Sequence, residues 1–250
     1  MKISISKVSK VKMLNILGIV FIFLIWHILS LVFDNSLIIP RIFDVFKAMI
    51  EMFKTQRIYT LIIKLLLNGF LTITVSFAIG MILALLSFKY EWLYNFMNPM
   101  ITFFKTVPII AIIILLLISV MSLAPYVASF LVVVPIIYEG VYMTLKQIDS
   151  NITDDIKTLS NLNFPIIIKF YIPLILPNII TSLVQSFGLG IKVMVMAEYT
   201  SPKNNTFGAE IKRFYDNNDM EKVYAMVILL IVFSFVVDKI LKKIRKNKEY

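Results

Sequence analysis

The stretch Leu65–Phe88 reads LLLNGFLTITVSFAIGMILALLSF, 24 residues without an ionisable side chain. About 20 such residues suffice to carry a helix across a bilayer core. A soluble helix of this length would show a polar face with charges, and this one shows only Asn68, threonines, serines and two glycines. The neighbouring sequence repeats the pattern. Apolar blocks recur at Leu14–Phe33, Phe96–Val120, Leu123–Leu145, Leu174–Ala197 and Val223–Leu241. The composition agrees, with 59% hydrophobic and only 16% charged residues and a mean hydropathy of +0.87. Soluble domains carry about a quarter charged residues. The reading is an all-α membrane protein of about six transmembrane helices. Its organisation is a single membrane domain over residues 14–241, a tail over residues 1–13, and a basic tail over residues 242–250.

The first block follows Lys2, Lys7, Lys10 and Lys12, the arrangement of a signal peptide. At 20 residues it is longer than a usual signal core and no small-residue cleavage site follows it, so a retained first helix is expected. The formal charge is +10, with 25 basic residues. Lysines concentrate in tails and loops, which points to topology and anionic lipid rather than to nucleic acid. Their bias favours both termini on the cytoplasmic side.

Two connections carry further structure. Ile42–Lys54, IFDVFKAMIEMFK, places Asp44, Lys47, Glu51 and Lys54 on one helical stripe with Phe43, Phe46, Ile50 and Phe53 elsewhere. That pattern predicts an amphipathic helix lying in the membrane interface after Pro40. The connection of residues 146–173 is less apolar than the spans and long for a simple loop. Ser150 or Thr153 can cap a short helix near Asp154, Ser160–Asn163 reads as a bend, and Phe164–Tyr171 as a second short helix.

Several chemistries are excluded. There is no cysteine and one histidine, His27, which lies inside the first apolar block. No phosphate-cradling G-x-x-x-x-G-K-[ST] run and no HExxH run occurs. An integral membrane enzyme would need the histidine or acidic clusters that are missing, and a passive channel remains the other alternative. Three ionisable residues fall within spans, Lys105, Glu139 and Lys192, where charge is costly. Lys105 can snorkel to the nearer interface. Glu139 can pair with a lysine or line a path, and Lys192 can line a cavity. Glu198 ends the fifth block.

The segment Asp154–Pro177, DDIKTLSNLNFPIIIKFYIPLILP, resembles the cytoplasmic signature of binding-protein-dependent ABC importer permeases, EAA-x3-G-x9-I-x-LP. It is most similar to the form found in importers of sulfonates, taurine, nitrate and thiamine-related compounds. Asp154 falls on the glutamate, Asp155 and Ile156 on the alanines, Leu159 on the leucine, Ser160 on the glycine, and Pro173 and Pro177 on the prolines. Ile39–Pro40, Thr106–Val107–Pro108, Lys146–Asp149, Lys192 with Ala197–Glu198, and Phe207–Gly208 match further family pieces in order. The resemblance covers roughly residues 37–243. It departs where Asp155 and Ile156 replace small residues, Ser160 replaces glycine, and Pro165 replaces a helix former.

The resemblance implies a type I importer permease in which residues 146–173 form the coupling loop between spans four and five. Asp154, Asp155, Leu159, Ser160 and Asn161 would contact an ABC ATPase subunit, with Pro173 and Pro177 behind them. Lys192, Glu198 and Glu139 become translocation-path candidates. The implied partners are that ATPase, which would bind the ATP, an extracytoplasmic solute-binding protein, a second copy of the chain and membrane lipid. No cofactor or metal is expected in this chain.

Overall fold

The computed structural model describes residues 5–148, 164–201 and 204–246. Within them, the side chains of residues 5–12, 164, 241–242 and 244–246 are not described. Every described regular element is helical: α1 (Ile5–Phe33), α2 (Ile42–Phe53), α3 (Gln56–Lys89), α4 (Glu91–Thr106), α5 (Ile109–Val120), α6 (Ala124–Lys146), α7 (Ile172–Thr200), α8 (Phe207–Asp216) and α9 (Met220–Lys246). A 3-10 turn, Met121–Leu123, joins α5 to α6, and a π-helical turn, Ile167–Tyr171, leads into α7. The chain forms two compact units: Met1–Ile58 with Ile211–Leu230, and Tyr59–Glu210 with Ile231–Tyr250.

In the first unit, α1 exposes apolar side chains on nearly all sides from Met13 to Phe33, as a helix solvated by lipid does. Trp26 Nε1 donates to the Pro40 carbonyl at 3.1 Å, and its ring stacks on Tyr224 with centroids 5.7 Å apart. Tyr224 in turn donates its hydroxyl to the Ile38 carbonyl at 3.1 Å. These bonds fasten the connection that precedes α2. The expected amphipathic helix is present as α2. It buries Val45, Ala48 and Met52 and leaves Phe43, Phe46 and Ile50 exposed. At its far end, α8 stops at Asn218 with φ 58, where the Asp219 N–H reaches the Phe214 carbonyl at 2.9 Å. Asp219 then caps α9 by accepting the Lys222 N–H.

The second unit is built on α3, α6 and α7. Asn68 Nδ2 donates to the Tyr126 hydroxyl at 3.2 Å, and about three turns further along both helices Gly80 lies against Ile137. The two helices therefore run parallel. Gly190 lies against Val133 while Ser182 lies against Gly140, so α7 runs antiparallel to α6. The α6–α7 seam uses small residues. Ser129 Oγ donates to the Gly190 carbonyl at 3.0 Å, and a Cβ on Gly190 would sit 2.8 Å from Val133 Cγ2. Close approach of backbones through small residues is the usual way helices associate in lipid, where burying apolar area gains little.

Five helical stretches among the described residues are long and apolar enough to cross a bilayer: Met13–Phe33, Gln56–Lys89, Ile109–Lys146, Ile167–Thr200 and Met220–Ile240. The six expected spans differ from these at one place. The expected third and fourth spans meet in Ile109–Lys146, which folds back on itself. Ile109, Ile113, Leu116 and Leu117 share one apolar cluster with Ala128, Val132 and Ile136. The turn is made at Met121, a non-glycine residue with φ 34. The short leg α5 has 12 residues, about 18 Å, and falls short of a core about 30 Å thick. It is continued by α4 across a break at Val107–Pro108, while Pro99 lies inside α4 without breaking it. Since α3 and α6 run parallel, α4 and α5 together return the chain to the end from which α3 started.

Candidate translocation and coupling site

Residues on the same helix ends define where the 149–163 segment attaches. α6 ends at Lys146, and the chain is described again from Phe164. Tyr171 and Ile167 are fully buried, and the Tyr171 ring packs on Phe88 at the last turn of α3, with centroids 5.3 Å apart. Both flanks of the segment thus lie at the Lys89 end of α3. The expected coupling residues Asp154, Asp155, Leu159, Ser160 and Asn161 lie outside the described residues.

Pro173 and Pro177 are described, and both sit in the first two turns of α7. Proline has no N–H, so Pro173 cannot bond to the Lys169 carbonyl or Pro177 to that of Pro173. The backbone responds with a π turn, in which the Ile172 N–H reaches the Ile167 carbonyl. Thr181 Oγ1 donates to the Pro177 carbonyl at 3.0 Å. The expected second short helix, Phe164–Tyr171, is a single α turn, Phe164–Ile166, followed by the π turn.

The charged residues within the spans are solved in three ways. Lys105 Nζ pairs with Glu139 Oε2 between α4 and α6, and the two side chains keep 43% and 37% of their surface exposed. The pairing open to Glu139 is realised, and Lys105 is tied to α6. Glu198 is 2% exposed, and its Oε2 accepts the Gly208 N–H at 3.0 Å across the turn between α7 and α8. It has almost no surface to offer a solute in this chain. Lys192 is exposed on α7, about two turns before its end at Thr200.

Beside the ion pair runs an aromatic ladder: Tyr94 stacks on Tyr142 at 4.5 Å and Tyr138 on Tyr142 at 5.9 Å, with Lys146 over the Tyr142 ring. α4 itself has three faces. Ile101 is buried with Tyr94, Met97 and Phe104 partly so, whereas Trp92, Phe96, Met100 and Phe103 form an exposed apolar face. Asn95, Asn98, Thr102, Lys105 and Thr106 form an exposed polar one. The spacing of three and four residues along this polar face was legible in the sequence. The apolar density of the block and its prolines mask it.

In the first unit, a cavity of about 260 Å³ is lined by Asp34, Arg41, Asp44 and Glu221 among others, with Arg41 bonded to Asp34 at 3.1 Å. No group of three or more histidine, cysteine or acidic side chains among the described residues is placed to hold a metal ion.

One family model matches the chain. The family described as "Binding-protein-dependent transport system inner membrane component" matches residues 76–249, more than half of the chain. The Methanocaldococcus jannaschii protein named "Putative ABC transporter permease protein MJ0413" is 26% identical over 235 residues, covering 88% of this chain and 85% of that protein. Among solved structures, a chain of the MetNI methionine ABC transporter in an inward-facing conformation aligns with a TM-score of 0.67 at 14% identity. The alignment covers 77% of this chain and 96% of that one. A second crystal form of the same transporter aligns at 0.64 and 13% identity. At such identities the likeness speaks for the fold.

Proposed function

The chain belongs to the binding-protein-dependent transport system inner membrane components and is a permease subunit of an ATP-binding-cassette importer; we propose that residues 149–163 are the handle by which a separate ATPase moves it. The observation that carries this reading is the placement of the flanks. Lys146 on one side and the Ile167–Tyr171 turn, anchored by its buried Ile167 and Tyr171, on the other lie at one end of the α3–α6–α7 core. A segment of about 15 residues between two anchored ends can form a compact lever there.

In this reading Asp154, Asp155, Leu159, Ser160 and Asn161 contact the ATPase. Their departures from the family's small residues match a partner surface adapted to them. ATP is bound and hydrolysed by that partner, and this chain has no nucleotide site of its own. A second copy of the chain completes the path, and an extracytoplasmic binding protein supplies the solute. The chain sits in the cytoplasmic membrane of a bacterium with the 149–163 segment and both termini on the ATPase side. Closure of the ATPase pulls the handle, and the spans respond as a rigid-body switch between two access states.

Lys192 and Glu139 are the path residues retained from the sequence. Glu198 is better read as a fastener of the α7–α8 turn, because its carboxylate is already buried against the Gly208 N–H.

The absence of native cysteine makes the test direct. Leu159→Cys, paired with single cysteines along the candidate docking cleft of the co-expressed ATPase, should crosslink at one or more positions. ATP-driven uptake should fall when the bridge forms. Failure at every position, or labelling of Leu159→Cys from the outer side of sealed right-side-out vesicles, would overturn the handle.

A further inference from the structure

The exposed surface of α4 is divided in a way that a helix surrounded by lipid cannot tolerate. Trp92, Phe96, Met100 and Phe103 occupy one exposed face, a surface suited to acyl chains. Asn95, Asn98, Thr102, Lys105 and Thr106 are also exposed, at spacings of three, four, three and one. At 100° per residue these five fall within an arc of about 100°, clear of the apolar face. Amide and ammonium groups turned toward hydrocarbon are expensive, so this arc faces water or protein.

The position of the arc narrows the choice. Tyr94 stacks on Tyr142 and Lys105 pairs with Glu139, so α4 crosses α6 close to the end that carries Lys146. The polar face therefore starts at the end where the 149–163 segment attaches and finishes at the ion pair, two turns along α6 from Lys146. Beyond Lys105, α5 continues as an almost purely apolar leg, Ile109–Val120. The pair is the last charged point on that route. It is also not sealed: both side chains keep more than a third of their surface. The hydroxyls of Thr102 and Thr106 donate back to the α4 backbone, which leaves their oxygens able to accept.

Resting on the permease reading above, we propose that the polar face of α4, closed by Lys105 and Glu139, lines a water-filled vestibule of the translocation path that receives a small zwitterionic solute. The chemistry of the pair sets the class of solute. A solute with a single negative charge gains Lys105 but meets Glu139 beside it, and a cation meets the reverse. A solute carrying both charges exchanges each partner for one of the same kind, its ammonium taking the place of Lys105 on Glu139 and its acid group that of Glu139 on Lys105. Along the approach the exposed carboxylate of Glu91 stands on the same arc at the start of α4, and the side-chain amides of Asn95 and Asn98 offer neutral donors and acceptors beyond it. No net charge has to be desolvated alone, which is the costly step in a low-dielectric passage.

The test uses single cysteines in the full chain assembled with its ATPase in proteoliposomes. Asn98→Cys and Thr102→Cys report the polar face, and Met100→Cys and Phe103→Cys the apolar one. Three methanethiosulfonate reagents serve as probes: sulfonatoethyl (anionic), trimethylammonioethyl (cationic) and 2-amino-2-carboxyethyl (zwitterionic), each normalised to its rate with a free thiol. The polar-face cysteines should react at least about tenfold faster than the apolar-face ones, and trapping with ATP and vanadate should slow them by a similar factor. At Thr102→Cys the zwitterionic reagent should be the fastest of the three, and this preference should vanish with Lys105→Met and with Glu139→Gln. Equal labelling of both faces overturns the vestibule. So does labelling indifferent to vanadate, which would make α4 an interfacial helix. A single-charge reagent winning at Thr102→Cys overturns the solute class. ATP-driven uptake measured on the same proteoliposomes keeps the permease reading separate, since it can persist under each of these failures.

Discussion

The α6–α7 seam yields a prediction with its own control two residues away. A methyl group added at Gly190 would stand 2.8 Å from Val133 Cγ2, 3.1 Å from Ser129 Oγ and 3.4 Å from Ile73 Cγ1. Comfortable carbon contacts lie near 3.5–4.0 Å, so Val133 and Ser129 have to give way. Overpacking of this kind costs about 1–3 kcal/mol. Displacing Ser129 also threatens its bond to the Gly190 carbonyl, worth about 0.6 kcal/mol between membrane helices. At Gly188, on the same helix, nothing lies within 4 Å of the added carbon. Both substitutions to alanine gain the same helix propensity, at most about 1 kcal/mol, so this gain cancels in their difference. Gly190→Ala should therefore be less stable than Gly188→Ala by about 1–3 kcal/mol in SDS-induced unfolding of the purified chain. Ser129→Ala should lose only about 0.6 kcal/mol. If the two glycine variants unfold at the same SDS fraction, the close approach of α6 and α7 through Gly190 is refuted.

Two further outcomes follow from buried polar contacts. Glu198→Ala strands the Gly208 N–H and should cost about 1–3 kcal/mol in the same unfolding assay, with Glu198→Gln nearer wild type. A neutral Glu198→Ala with altered uptake would return Glu198 to the path. Trp26→Phe keeps an aromatic ring for Tyr224 but loses the donor to the Pro40 carbonyl, and should cost about 0.5–1.5 kcal/mol. Limited proteolysis between Asp34 and Arg41 should quicken with it, and unchanged cleavage would refute the fastening role of Trp26.

How far the sequence could be read depended on the period of each signal. Uninterrupted apolar blocks such as Leu65–Phe88 announce crossings because lipid allows no other backbone solution. The amphipathic α2 was equally legible, since its polar stripe repeats at helical spacing. The boundary between the third and fourth blocks was legible as well, although nothing in the sequence shows how the turn is made. Between Val120 and Leu123 no charge or glycine marks the turn, and the chain reverses at Met121 with a backbone angle that the sequence does not advertise. The site was legible in part. Glu139 and a lysine could be named as partners, yet choosing Lys105 needed the crossing of α4 over α6. Glu198 was read as a path residue because its match sits at a span end. Only the fold shows the Gly208 N–H that claims it. The π turn before Pro173 had no visible signal beyond the prolines themselves, which announce a missing donor but not how the backbone accommodates it.

Rigidity and softness are distributed along α7 in the order a lever requires. Its middle, from Ser182 to Val193, is packed against α6 through Gly140, Ser129 and Gly190, where backbones are too close to slide without large cost. Its beginning carries two prolines and a π turn, where hydrogen bonds are already missing and small angular changes are cheap. Yet that soft turn is not loose, because Ile167 and Tyr171 are buried and Tyr171 is held against Phe88. A force applied between Lys146 and Phe164 thus meets a hinge pinned to α3, then a rigid pair of helices. If the 149–163 segment is the handle proposed above, such an arrangement would convert a pull into rotation of α6 and α7 as one body, whereas a stiff hinge would transmit no angle and a soft seam would absorb it.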